Sequence, residues 1–236
     1  MIILGIDSSA TVASAAVYKD DKLVFESFEN NGLTHSVTLL PMIEKTLNEA
    51  KVLPKQIDVV AISHGPGSFT GLRIGIATAK GMASAGAKCL GVSTLKAMAY
   101  SNRDFEGIVC ACMDARCNQL YNALFKIQNG KVLRLCEDRA VLIDELLEEI
   151  KNISEPILLV GDGAELFYKA VQNIEIKNVT INNGDLRYQR ASGVCAAAFE
   201  DIKNGKEPFN KNELVPVYLR LPQAERELNK RKGDKK

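Results

Sequence analysis

His64-Gly65-Pro66-Gly67-Ser68-Phe69-Thr70-Gly71-Leu72-Arg73-Ile74-Gly75 joins an apolar run at 57–62, which reads as a buried strand, to a helical pattern over about 70–85. Pro66 has no N–H for a sheet ladder and biases Gly65 towards extended backbone, so the strand ends here. Gly65 and Gly67 open backbone angles closed to other residues, and Ser68 or Thr70 offers an oxygen to cap the helix. Such a corner has two readings. Its backbone N–H groups hold an anion at a helix N-terminus, or it is a tight, well-capped turn and nothing more.

Working outward, residues 2–7, 12–18 and 22–29 read as strands, with a turn at Lys19-Asp20-Asp21. A helix follows over about 36–51, striped by Leu39, Leu40, Ile43, Leu47 and Ala50, with Pro41 in its first turns. Beyond the corner come a strand at 88–92 and a helix opening at Ser93 or Thr94. The order then starts again. Strand 107–113 ends at Asp114, as the first strand ends at Asp7; strands at 118–126 and 131–136, a helix at 143–150, a strand at 157–160, the turn Gly161-Asp162-Gly163 and a helix at 164–170 follow. A late amphipathic helix at 191–203 and an extended stretch at 215–220 precede a charged, lysine-rich end.

A repeat of this length mis-assigns a fold if it is missed. Two such halves give an α/β fold of two lobes, each a mixed sheet with helices on its faces. This is the duplicated actin-like, Hsp70-like ATPase (ribonuclease H-like) architecture. The expected division is 1–103 for the first lobe, 104–222 for the second (with 191–203 packing on either) and 223–236 for a charged tail. The tail reads as solvated, with a contribution to RNA binding as the sharper alternative.

The 236 residues are 46% hydrophobic and 25% charged with a net charge of +1, so the molecule as a whole offers no strong field to nucleic acid, membrane or acidic substrates. The first residues lack the basic flank and apolar core of a signal peptide, and no apolar run nears the roughly 20 residues that span a bilayer. A cytoplasmic protein without membrane contact is expected. The six cysteines form no C-x-x-C pair and read as buried structural thiols.

In the actin-like group, the aspartates ending the first strand of each half handle magnesium and phosphate, and a glycine follows each. Here the steps are Asp7-Ser8-Ser9, with Thr11 beyond, and Asp114-Ala115-Arg116, where an Asp–Arg pair competes with any ligand. The candidate nucleotide or anion residues are therefore Asp7, Ser8, Ser9, Thr11, Gly65, Gly67, Ser68, Asp114, Gly161 and Gly163; for the last two a simple strand-to-helix turn is an equal reading. There is no G-x-x-x-x-G-K-[ST] loop, no G-x-S-x-G elbow and no H-x-x-x-H or H-E-x-x-H pair, since His35 and His64 are the only histidines. No catalytic residue and no metal site is expected in this chain alone. The helix after the corner carries small residues on two lines: Gly71, Gly75, Ala79 and Ala83, and beside them Ala77, Gly81 and Ala85. They let this helix pack closely on its own sheet or first helix, or on another chain.

The first strand with Ile6-Asp7-Ser8-Ser9, the Thr34-His35-Ser36 start of the first helix with Leu39-Leu40-Pro41, the 64–75 block and Pro216-Val217-Tyr218-Leu219-Arg220 together resemble the TsaB (YeaZ) family of tRNA threonylcarbamoyladenosine biosynthesis proteins. The resemblance implies a non-catalytic relative of TsaD, the subunit that transfers threonylcarbamoyl to an adenosine beside the anticodon. His35 has Leu39 four residues on, so the H-x-x-x-H metal motif of TsaD is absent. The resemblance further implies pairing with TsaD through the first two helices, a TsaE-like ATPase joining the pair, a homodimer when TsaD is missing, and tRNA met through the complex. ATP or ADP and magnesium are expected at the level of the complex only. The expected partner-binding residues are His35, Leu39, Leu40, Ile43, Leu47, Leu72, Arg73, Gly75, Ile76, Ala79, Lys80 and Ala83. The rival reading is a free-standing ATP-dependent phosphotransferase or ATPase of the actin-like group, carried by Asp7, Ser9 and Asp114.

Overall fold

The computed structural model describes residues 1–30, 32, 34–174 and 176–220; the tail expected at 223–236 lies outside the described residues. The first half runs β1 (Ile2–Asp7), β2 (Ala13–Lys19), β3 (Lys22–Glu29), α1 (His35–Glu49), β4 (Val59–Gly65), α2 (Phe69–Met82), β5 (Lys88–Ser93) and α3 (Thr94–Ser101). The second runs β6 (Gly107–Arg116), β7 (Gln119–Gln128), β8 (Lys131–Arg134), β9 (Arg139–Leu142), α4 (Ile143–Lys151), β10 (Ile157–Val160), α5 (Ala164–Gln172), β11 (Val179–Ile181) and α6 (Ala191–Lys203).

The two sheets have the orders β3-β2-β1-β4-β5 and β11-β10-β6-β7-β8, with β9 also pairing β7. In each, the first strand of the half is antiparallel to the second and parallel to the strand after the helix. The halves therefore repeat in topology, with β9 as the one added strand of the second, although their sequences share little. Two short strands, β9 and β11, went unread because four and three residues are too few to show an alternating pattern. The extended stretch at 215–220 forms no strand.

The packing explains why the helices are where they are. On one face of the first sheet, α1 and α2 bury Leu39, Ile43, Ile76 and Ala79 against Leu4, Ile6 and Ile62. The opposite face is covered chiefly by α6, whose Ala191, Val194 and Ala198 meet Ile3, Val59 and Leu90, with Ala97 of α3 joining the same cluster. Conversely α3, from the first half, places Leu95 and Met98 on Val109, Ala111 and Phe125 of the second sheet, whose other face carries α4 and α5. The terminal helices of the halves are thus exchanged. They also touch each other so closely that a Cβ on Gly193 would overlap the Ala97 carbonyl and the Ser101 hydroxyl, which accounts for the alanine-rich sequence of α6. Among the described residues, no helix is long and apolar enough to cross a membrane.

Candidate functional site

The 64–75 corner is built against the loop after β1. Ser68 is the N-cap of α2, its Oγ accepting from Gly71 N, and Ser68 N donates to the Ser9 carbonyl at 2.7 Å. Ser8 Oγ donates to the Gly71 carbonyl at 3.0 Å. A Cβ on Gly67 would overlap the Ser9 carbonyl, one on Gly71 the Ser8 carbonyl, and one on Gly75 the Ser8 hydroxyl. The first small-residue line of α2 is therefore a close approach within the chain. It is not a free face, and Gly75 and Ala79, expected at a partner surface, are internal.

Between the lobes, at the C-terminal ends of β1, β4, β6 and β10, lies a cleft of about 410 Å³. Ser9, Thr11, Gly67, Ser68, Asp114 and Asp162 line it. This is the crevice where open α/β sheets place ligands. The expected pair of facing aspartates is not there. Asp7 is fully buried: its carboxylate accepts from Ser63 Oγ, from Ser9 N at 2.9 Å and from Ser9 Oγ at 2.7 Å. Burial pushes its pKa up despite those hydrogen bonds. Ser8 is buried beside it. Both are scaffold for the turn, not cleft ligands.

Asp114 does reach the cleft, paired to Arg116 at 3.0 Å and accepting from Arg116 N at 2.7 Å. The next turn holds Arg116, Cys117 and Asn118 all at positive φ, and it swings the Arg116 side chain out to 82% exposure. Asp162, which the sequence did not single out as a ligand, lies on the cleft floor; burial pushes its carboxyl up, with Gln189 Nε2 donating to it at 3.2 Å and the Asp114 charge adding to the rise. A side chain on Gly161 would strike the Cys112 carbonyl, and one on Gly163 the backbone of Met113 and Asp114, so close backbone packing at the turn accounts for both glycines. Gly65 is likewise taken up by packing, here against Val217.

That contact belongs to a segment whose role the sequence left open. After the buried Leu214, Val217 N donates to the His64 carbonyl at 2.7 Å. Tyr218 stacks on Phe69 with ring centroids 4.3 Å apart and accepts at its hydroxyl from Arg73 Nε at 3.0 Å. Arg220 then donates to the carbonyls of Ala115 at 2.6 Å and Arg116 at 3.3 Å. Residues 214–220 form a strap from the first lobe, across the cleft mouth, to the second. The one signal in the sequence was the alternation of Val217, Leu219 and the long polar side chains between them.

Leu39, Ile43, Leu47, Leu72, Gly75, Ile76 and Ala79 on α1 and α2, and Ala83 just after α2, are buried in the chain's own core, where the sequence reading had placed them at a partner surface. The helical stripes that suggested a docking face are the stripes that hold the fold together. Leu40 (59% exposed) and Arg73 face outward, and His35 and Lys80 are half-buried. The structure adds one residue the sequence reading missed, Val37, 72% exposed, on α1; of the second small line of α2 read from the sequence, Ala77 and Gly81 are exposed and nothing lies within 4 Å of a Cβ on Gly81. His35 Nε2 donates to the Ala10 carbonyl at 2.7 Å, which leaves Nδ1 as a buried acceptor without a partner among the described residues.

The profile of the family described as "TsaD: tRNA N6-adenosine threonylcarbamoyltransferase" matches residues 29–228. The tRNA threonylcarbamoyladenosine biosynthesis protein TsaB of Bacillus subtilis is 30% identical over 226 residues, covering 95% of this chain and 96% of the relative. The chain belongs to the TsaB family. The TsaB of Haemophilus influenzae is 34% identical, with 93% of this chain and 94% of the relative covered. Among solved structures, YeaZ from Pseudomonas aeruginosa superposes with a TM-score of 0.78 at 25% identity, over 92% of this chain and 99% of that one. The two-lobed actin-like architecture read from the element order is that of TsaB.

Proposed function

We propose that this chain is a non-catalytic partner subunit, pairing with a TsaD-type threonylcarbamoyltransferase in the formation of threonylcarbamoyladenosine in tRNA. The observation that carries the reading is Asp7. The carboxylate that an actin-like phosphotransferase would turn towards magnesium and phosphate is here enclosed and bonded to Ser63 and Ser9, and this speaks against a free-standing ATPase. The pairing surface is the outward side of α1 and α2. Val37 and Leu40 offer apolar area, and Ala77 and Gly81 let a helix of the partner come close. The same face would serve a homodimer when the transferase is absent.

An ATP or ADP phosphate with magnesium would find Ser9, Thr11, Gly67, Ser68 and Asp114 at the cleft, and in this reading it acts in the complex, where a TsaE-like ATPase joins and tRNA is met. The setting is the cytoplasm. Mixing the purified chain with the TsaD-type paralogue of the same source and separating by size should give a heterodimer. Leu40→Asp and Gly81→Trp should weaken it while each variant still melts cooperatively. Absence of a complex, together with full tRNA modification in a strain lacking this chain, would overturn the reading. ATP turnover by the isolated chain that vanishes in Asp7→Ala would favour the phosphotransferase instead.

A further inference from the structure

At the opposite end of the sheets from the cleft lies a larger cavity, about 850 Å³. The registers fix its place. Lys19 pairs Ile2 at the start of β1, and Lys126 pairs Ile108 at the start of β6. The hairpin turns that follow β2 and β7 therefore stand at the N-terminal ends of the two central strands. Asp21 from the first turn and Asn129, Gly130 and Lys131 from the second line one cavity, closed by Tyr100 of α3, by Arg103 just after it and by Glu200 and Lys203 of α6. The site is thus formed by equivalent hairpins of the two halves and by the exchanged helices between them.

Its polar groups are unevenly satisfied. Lys126 is held by Glu155, and Lys203 lies 3.9 Å from Glu200. Arg103 is half-buried, yet among the described residues it makes no ion pair and no hydrogen bond. Among the described residues Lys131 is likewise unpaired, and no donor or acceptor meets the Tyr100 hydroxyl. Burial pushes the Tyr100 phenol up to about 12, so it stays an O–H donor at neutral pH. The unpaired guanidinium of half-buried Arg103 presents a planar fork that matches a phosphate. The acids present, Asp21 and Glu200, form no ion pair with Arg103. They temper the positive charge and would favour a ligand that carries hydroxyl or amine donors beside its anionic group.

We propose that this rear cavity binds a phosphate-bearing polar ligand, with Arg103 and Lys131 taking the phosphate and Tyr100 donating to it. The phosphate could belong to a small phosphorylated metabolite or to an RNA strand, and the two are separable by experiment. Binding of inorganic pyrophosphate and of an eight-nucleotide single-stranded RNA to the full chain is measured by calorimetry in 20–50 mM salt. The native chain should bind at least one probe. Arg103→Gln and, separately, Lys131→Glu at the exposed hairpin should each weaken it tenfold or more, with melting temperatures recorded to confirm folding. Lys169→Ala, exposed on α5 away from both cavities, should leave it unchanged. Pyrophosphate binding alone identifies a small phosphate, whereas RNA binding without pyrophosphate identifies a strand. Failure of both probes, binding insensitive to Arg103→Gln and Lys131→Glu, or loss in Lys169→Ala would overturn the proposal. None of these outcomes depends on pairing with a transferase, so this site and the partner role stand or fall separately.

Discussion

Ser8 and Gly71 are locked together from both sides: the Ser8 hydroxyl donates to the Gly71 carbonyl at 3.0 Å, and the Ser8 carbonyl occupies the space where a Cβ on residue 71 would sit. The loop after β1 and the first turn of α2 are thus one unit. Gly71→Val should force them apart and destabilise the isolated chain by at least about 1–3 kcal/mol in urea unfolding, the usual cost of overpacking. Gly81→Ala, in open space on the same helix, should raise stability by up to about 1 kcal/mol. Equal effects of the two substitutions would contradict the division of α2 into an inner and an outer line.

The strap yields a second expectation. Arg220→Ala removes a charged donor shared by the Ala115 and Arg116 carbonyls. The loss should be on the order of 1–2 kcal/mol, below the upper range for charged hydrogen bonds because the group is partly solvated. Hydrogen exchange at the 115–118 turn should speed up in this variant, and an unchanged exchange rate there would show that the strap does not hold the second lobe.

Asp7 predicts a pH dependence. Its folded pKa lies above the ordinary 3.8 because of burial. The folded chain therefore keeps a proton that the unfolded chain has released, and this contribution to stability is full below 3.8 and lost as pH rises through the folded value. Asp7→Asn, which still accepts from Ser9 N and Oγ, should fall less in stability between pH 4 and 7 than the native chain. Identical slopes in denaturant titrations would refute the assignment.

His64 works in the opposite direction. Burial lowers its pKa below 6.5, with the Lys206 charge adding to the fall and a hydrogen bond to the Val215 backbone opposing it. The unfolded chain takes up the proton first as pH drops, so stability is present above 6.5 and lost on acidification through the folded value. His64→Gln should flatten the curve between pH 5 and 7, visible as melting temperatures that converge with the native ones at low pH.

The repeat was legible because periods of two and 3.6 residues survive divergence. The strand ending at Asp7 and the one carrying Asp114 kept their runs of buried residues, and Gly67-Ser68 announced the cap of α2. The site was less legible, since periodicity tells that a helix has an apolar stripe but not whether its own sheet or another chain covers it. Leu39, Ile43 and Ala79 were assigned outward for that reason, and the sheet took them. Carboxylate position misled similarly: Asp7 ends a strand as a ligand would, but Ser63, 56 residues away, decides where it points.

The exchange of α3 and α6 bears on how the chain is made. While the protein leaves the ribosome from its N-terminus, the face of the first sheet bearing Ile3, Val59 and Leu90 waits without a cover until α6 is synthesised, and Ala191 N finds the Ser14 hydroxyl only across 177 positions of sequence. The nascent first half is thus an oily, unfinished surface for most of translation, with a demand for chaperone shelter that ends only when α6 arrives.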